Sequence, residues 1–140
     1  MIKAILFDLG NVLVGFDFQR GYRALAGACR CPVEEIPQRI AGSGLIHPFE
    51  RGEMSSREYF RRFSQILEME ASFERFCELW SSIFLPEPLV PERLLAELKQ
   101  RHRMVLVSNT NEIHYRMIRR TYGLLRHFDA YVLSYEVGAM

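Results

Sequence analysis

Residues Lys3 to Val14, KAILFDLGNVLV, decide the fold of this 140-residue chain. The segment opens with four apolar residues, Ala4 to Phe7, a pattern typical of a short strand that is buried on both faces of a sheet. Asp8 then stands at the carboxyl end of that strand, and Gly10 permits a turn directly after it. Because ligands of open α/β sheets bind at the carboxyl ends of the strands, Asp8 is a candidate catalytic carboxylate.

The rest of the chain alternates between helical and strand patterns. From about residue 18 to 84 apolar residues recur at helical spacing, and an aromatic stripe between Phe73 and Phe84 indicates a packed seam rather than a cofactor site. Three prolines between Leu85 and Pro91 predict a linker, and strands are predicted at Met104 to Val107 and at Ala130 to Leu133. This order predicts an α/β fold with a Rossmann-like parallel sheet and a helical insert after the first strand.

Composition excludes several classes of protein. Hydrophobic residues make up 49% and charged residues 25% of the chain, which is ordinary for a globular domain, and the net charge of +1 gives no electrostatic case for nucleic acid. No apolar run reaches the length of a membrane span, and a cytoplasmic location is expected. Three cysteines predict reduced thiols rather than a disulfide framework, and neither they nor the histidines have the spacing of a metal site.

Two motifs resemble those of a known family. Asp8 to Leu13, DLGNVL, resembles the first motif of the haloacid dehalogenase-like hydrolases, and the wider FDLGNVLV resembles a subgroup that includes bacterial sugar-phosphate phosphatases. Met104 to Asn111, MVLVSNTN, resembles the second motif, an apolar strand that ends in Ser or Thr. The resemblance implies a parallel core at residues 1–15 and 86–140, with an inserted helical cap at 16–85.

The resemblance also implies roles for individual residues. Asp8 would attack phosphorus and form an aspartyl-phosphate that water later hydrolyses. The Asp8 carboxylate and the backbone carbonyl of Gly10 would hold Mg²⁺, while the Ser108 hydroxyl and the backbone N–H of Asn109 would bind phosphate oxygens. The expected partner is a small phosphorylated metabolite. Glu50 lies in a segment that also resembles this subgroup, PFERGEMSSREYF; Glu50 and Arg51 would line the substrate side of the cap or simply form a polar turn.

The chain departs from the family in two places. Gly10 occupies the position where most phosphatases of the family carry an aspartate as general acid. The lysine of the third motif and the acidic pair of the fourth are absent from the 140 residues, so we interpret the chain as a C-terminally truncated form of a longer hydrolase whose core is incomplete. The first strand would then show an unpaired edge, which predicts self-association.

Two alternatives to a phosphatase stay open. Metal-free dehalogenation of a small acid would use the same aspartate, Asp8, as nucleophile. A catalytically inactive binding or regulatory module is favoured by Gly10 and by the absent motifs.

Overall fold

The computed structural model describes residues 1–140, which form an α/β fold. In chain order its elements are β1 (Ala4–Phe7), β2 (Val14–Phe16), α1 (Phe18–Ala26), α2 (Ile36–Gly42), α3 (Ile46–Glu50), α4 (Ser56–Leu67), α5 (Phe73–Ser81), β3 (Phe84–Pro88), α6 (Glu92–Lys99), β4 (Arg103–Ser108), α7 (Glu112–Thr121), β5 (Ala130–Leu133) and α8 (Ser134–Val137). Short 3₁₀ helices at Val33–Glu35 and Gly123–His127 complete the list. No helix has both the length and the apolar character that crossing a bilayer requires.

Three parallel strands form the sheet in the order β1-β4-β5, which confirms the predicted fold class. Phe7 pairs with Leu106 and Ser108 pairs with Leu133, so all three strands end at the same edge. Asp8 follows Phe7 at that edge. Parallel register alone therefore brings the end of the first strand beside the end of β4, although about 100 residues separate them in sequence.

Five helices, α1 to α5, form the insert between β2 and β3, which pair as an antiparallel ribbon. The insert has its own apolar core of 14 buried residues, with Tyr59, Phe63 and Phe76 at most 1% exposed. A second core of 13 buried residues lies under the parallel sheet and includes Met104 and Leu106. The division of the chain at residues 15 and 86 stays a prediction.

The longest helix, α4, begins at a hydrogen-bonded cap. The Ser55 hydroxyl accepts a hydrogen bond from the backbone N–H of Glu58 at 3.2 Å and so satisfies one free donor at the start of α4. The reciprocal half of a capping box is absent, because the Glu58 carboxylate binds Arg61 and Arg62 instead. Glu58 therefore stabilises the first turn through charge rather than through the box.

Two expectations about strands are wrong. The first strand is not buried on both faces: Leu6 is 69% exposed, because β1 is an edge strand whose outer face carries no packed helix. The linker predicted at Leu85 to Pro91 is in part a strand, since β3 runs through Pro86 to Pro88. Proline is tolerated there because β3 pairs with β2 alone and leaves its other edge free of ladder hydrogen bonds.

Candidate functional site

A surface depression of about 590 Å³ lies at the carboxyl edge of the sheet. It brings together the four residues that the sequence predicts as a site, Asp8, Gly10, Ser108 and Asn109. Asp8 and Gly10 come from the turn after β1, and Ser108 and Asn109 come from the end of β4. Phe16 of β2 closes one side of the depression.

Asp8 is exposed at the end of β1, and its carboxylate has little protein engagement. One oxygen accepts a hydrogen bond from the backbone N–H of Leu9 at 2.7 Å, and the side chain forms no ion pair. The free oxygen of this carboxylate and the backbone carbonyl of Gly10 are hard oxygen donors of the kind that Mg²⁺ binds, together with several waters and the phosphate of its substrate. Asp8 and Gly10 therefore fit the predicted metal site in donor chemistry.

The loop after β4 is held in place by a residue that the sequence did not indicate. Ser134, 2% exposed at the start of α8, accepts a hydrogen bond from the Thr110 backbone N–H at 2.9 Å, and its hydroxyl donates to the Thr110 carbonyl at 2.9 Å. Ser108 is buried while Asn109 is exposed. The clamp on Thr110 fixes the backbone next to the predicted phosphate-binding atoms of Asn109.

A buried histidine connects this loop to the helical insert. His114 Nε2 donates to the Trp80 carbonyl of α5 at 3.1 Å, so its Nδ1 is the acceptor for the Asn111 side-chain amide at 3.1 Å. Asn111 in turn caps α7 by accepting from the His114 backbone N–H at 3.0 Å. The imidazole stacks on Trp80, with ring centroids 5.3 Å apart. Burial lowers the pKa of His114 to about 4, so the ring is neutral at physiological pH.

A second cleft, of about 140 Å³, lies beside the depression, on the side of the insert. The two share Gly10, Phe16, Ser108 and Asn109, and the cleft extends to Glu50 at the end of α3. Glu50 thus faces the sheet edge as one of the two sequence interpretations expected. Arg51 does not line the cleft and instead binds Glu53 at 2.6 Å.

Gly10 is packed against an aromatic ring. A Cβ added at this position would come within 2.8 Å of Phe16 Cε1, so the ring occupies the space that a side chain at position 10 would need. The packing of Phe16 therefore suits a glycine at position 10 and leaves no room for the aspartate that most phosphatases of the family carry there. No other acidic side chain lines the depression besides Asp8.

Comparison with known proteins identifies the family and the fold. The family model described as haloacid dehalogenase-like hydrolase matches residues 2–140. A curated D-ribitol-5-phosphate phosphatase from Bacteroides thetaiotaomicron is 24% identical over 111 residues, which are 79% of this chain and 54% of that protein. The chain therefore spans about half the length of this curated relative.

Solved structures show the same fold. A HAD family enzyme from Bacteroides thetaiotaomicron, in complex with magnesium and inorganic phosphate, has a TM-score of 0.87 at 24% identity, over 100% of this chain and 72% of that one. A magnesium complex of the same enzyme has a TM-score of 0.84 at 26% identity, over 99% of this chain and 71% of that one. Because the family model spans nearly the whole sequence, the chain belongs to the haloacid dehalogenase-like hydrolases.

Proposed function

We propose that this hydrolase is a magnesium-dependent phosphatase of small phosphorylated metabolites that works through an aspartyl-phosphate on Asp8. The observation that carries the proposal is the meeting of Asp8, Gly10, Ser108 and Asn109 around one depression at the sheet edge. The curated relative, a phosphatase of a sugar-alcohol phosphate, and the related magnesium complex support it.

Each residue has a role that follows from its chemistry. An Asp8 oxygen attacks phosphorus and the bond from phosphorus to the ester oxygen breaks, so the alcohol leaves as an oxyanion that then takes a proton from water. Water then attacks the aspartyl-phosphate, which releases inorganic phosphate and restores the carboxylate. The Ser108 hydroxyl and the Asn109 backbone N–H donate to the phosphate oxygens. Mg²⁺ bound by Asp8 and the Gly10 carbonyl would offset the repulsion between carboxylate and phosphate.

Gly10 has a consequence for substrate preference. Without a general acid at this position the leaving alcohol receives no proton from residue 10, and such assistance typically contributes about 10²- to 10⁴-fold. Phosphate esters of acidic alcohols such as p-nitrophenol are therefore expected to react much faster than alkyl phosphates. A shallow dependence of rate on the pKa of the leaving group would contradict this role for Gly10.

The test is phosphatase activity with and without Mg²⁺, on the wild-type chain and on Asp8→Asn. We expect hydrolysis of p-nitrophenyl phosphate that EDTA abolishes and that Asp8→Asn lowers by more than about 10³-fold. Asp17→Asn is the matched control, because Asp17 caps α1 outside both cavities and asparagine caps a helix equally well.

Two outcomes would favour the alternatives. Release of halide from a small haloacid in the presence of EDTA, lost in Asp8→Asn, would support a dehalogenase. Binding of inorganic phosphate without turnover of any ester would support an inactive binding module, for which the absent side chain at Gly10 is the favouring observation.

A further inference from the structure

We infer that Glu50 recognises hydroxyl groups on the alcohol part of the substrate and discriminates against phosphate esters that carry a carboxylate. The inference rests on the proposed phosphatase function and names the class of substrate for the same site: small, uncharged polyhydroxy alcohols linked to phosphate. It concerns a residue of the insert, whereas the proposed chemistry resides at the sheet edge.

Geometry places Glu50 on the path of the alcohol. Ser108 and Asn109 line both the depression that holds Asp8 and the cleft that ends at Glu50. A phosphate bound by those two residues would therefore extend its ester group either to solvent or into the cleft. Phe16 and Gly10 also border both spaces, so the depression and the cleft lie side by side.

Polarity makes Glu50 distinct within the cleft. The lining is otherwise apolar, aromatic or neutral, since His114 is uncharged, so Glu50 carries the only charge. Its side chain is 21% exposed and forms no hydrogen bond; the imidazole Nδ1 of His47 lies 3.9 Å from a Glu50 carboxylate oxygen, too far for a hydrogen bond. Burial raises the pKa of Glu50 and His47 partly offsets that rise, which shows a carboxylate poorly compensated by the protein.

The Glu50 carboxylate is mostly buried and accepts no hydrogen bond from the protein, so a ligand with hydrogen-bond donors would stabilise it. An ionised carboxylate accepts hydrogen bonds and donates none, and leaving it unpartnered costs free energy. Alcohol hydroxyl groups donate hydrogen bonds and carry no charge, so a polyhydroxy alcohol can satisfy the Glu50 carboxylate. A substrate carboxylate would instead face Glu50 as a like charge.

The experiment measures binding rather than turnover, in an Asp8→Asn background that prevents hydrolysis. Trp80 is the only tryptophan of the chain and lines the cleft, so its fluorescence reports occupancy directly. The probes, added with Mg²⁺, are inorganic phosphate, glycerol 3-phosphate and 3-phosphoglycerate. The last two both carry a hydroxyl, but only 3-phosphoglycerate carries a carboxylate. Glu50→Gln is compared with Glu53→Gln, whose carboxylate binds Arg51 away from the cleft.

We expect glycerol 3-phosphate to bind at least about tenfold more tightly than 3-phosphoglycerate, and Glu50→Gln to reduce that ratio to within about threefold. Inorganic phosphate should bind with similar affinity in both variants, which also shows that Glu50→Gln is folded. Phosphate binding with no preference between the esters, or with a preference that Glu50→Gln leaves intact, would overturn the role of Glu50 alone. Inorganic phosphate is not hydrolysed, so it is also titrated with Mg²⁺ against the wild-type chain, which keeps the Asp8 carboxylate; absence of phosphate binding there would overturn the proposed function and this inference together.

Discussion

His114 shows how one buried side chain makes stability depend on pH. Its pKa is lowered from 6.5 to about 4 by burial, so the unfolded chain binds a proton between these values while the folded chain does not. Protonation would also place an N–H on Nδ1, against the Asn111 amide that now donates to it. The stabilisation is complete above pH 6.5 and is lost as pH falls toward 4.

We expect the free energy of unfolding to fall by up to about 3 kcal/mol through this residue as pH drops across that window. His114→Gln should remove that component, measured as the difference between the pH slopes of urea unfolding for variant and wild type. His47→Gln is the control, because the His47 side chain is 72% exposed. Equal slopes for His114→Gln and wild type would show that His114 is not the titrating group.

A second residue-scale prediction concerns Gly10 and Phe16. Gly10→Ala should destabilise the fold by about 1–2 kcal/mol, because its Cβ would lie 2.8 Å from the Phe16 ring unless the ring moves. Combining Gly10→Ala with Phe16→Leu should cost less than the sum of the two single changes, since leucine vacates that position. Additive costs from thermal or urea unfolding would contradict the contact.

Individual site residues differ in how far the sequence predicts them. Asp8 was predicted because it stands at the end of an apolar strand, whereas the roles of Gly10, Ser108 and Asn109 came from the resemblance to the two family motifs. Ser134 was not predicted, because its contact with Thr110 joins residues 24 apart through the fold.

His114 was missed for the same reason. Its carbonyl partner on Trp80 lies 34 residues away, and nothing in the spacing around residue 114 marks it as buried. The short-range signal that could have indicated it is Asn111, a good helix cap whose side chain leaves an amide to be satisfied three residues later.

At the scale of elements, α3 and α8 meet at a glycine. Gly52 has a φ of +71°, and a Cβ there would lie 2.1 Å from the Tyr135 carbonyl oxygen in α8. Gly52→Ala should therefore destabilise the protein by about 2–4 kcal/mol, since both the backbone conformation and the neighbouring backbone oppose it. The measurement is the free energy of unfolding in urea.

Two other glycines separate the effect of the positive φ from the effect of the close approach of α8. Gly44 has a φ of +65° but open space around it, so Gly44→Ala should cost only about 1 kcal/mol through backbone strain. Gly42 ends α2 with open space and no positive φ, so Gly42→Ala should be neutral or stabilising by up to about 1 kcal/mol. If Gly52→Ala cost no more than Gly44→Ala, the close approach of α8 would not matter.

Elements were predictable where periodicity was strong. The strands at Ala4–Phe7 and Ala130–Leu133 lie where the apolar runs place them, and α4 and α5 lie within the stretch that was predicted to be helical. The strand β3 was not predicted, because prolines normally stop a strand and only the free edge of a two-stranded ribbon admits them.

At the scale of the whole molecule, one face of the parallel sheet is open. Leu6 is 69% exposed, and Val107 and Val132 are 37% and 39% exposed. The backbone edge of β1 is also unpaired, because its only neighbour is β4. Apolar surface beside a free strand edge favours association between chains.

We therefore expect the apparent mass in size-exclusion chromatography with light scattering to rise with protein concentration. Leu6→Lys should shift the protein toward monomer, because a charge on an edge strand opposes strand pairing. Leu94→Lys, at a side chain 41% exposed on α6, should leave the mass unchanged. A monomer over a wide concentration range would contradict the expectation.

The first turn of α7 contacts the insert and directly follows the loop that carries the predicted phosphate-binding residues. Its Ile113 is part of the core of the insert, Glu112 accepts a hydrogen bond from Ser56 of α4, and His114 binds Trp80, while the residues just before it carry the predicted phosphate contacts. A change in the packing of the insert against α7 is therefore expected to change the conformation of the loop that carries Ser108 and Asn109, and the reverse. Consider a ligand that binds between α5 and α7 and whose affinity changes when phosphate binds. By thermodynamic reciprocity it must change the affinity for phosphate by the same factor, so it would regulate the site from a distance.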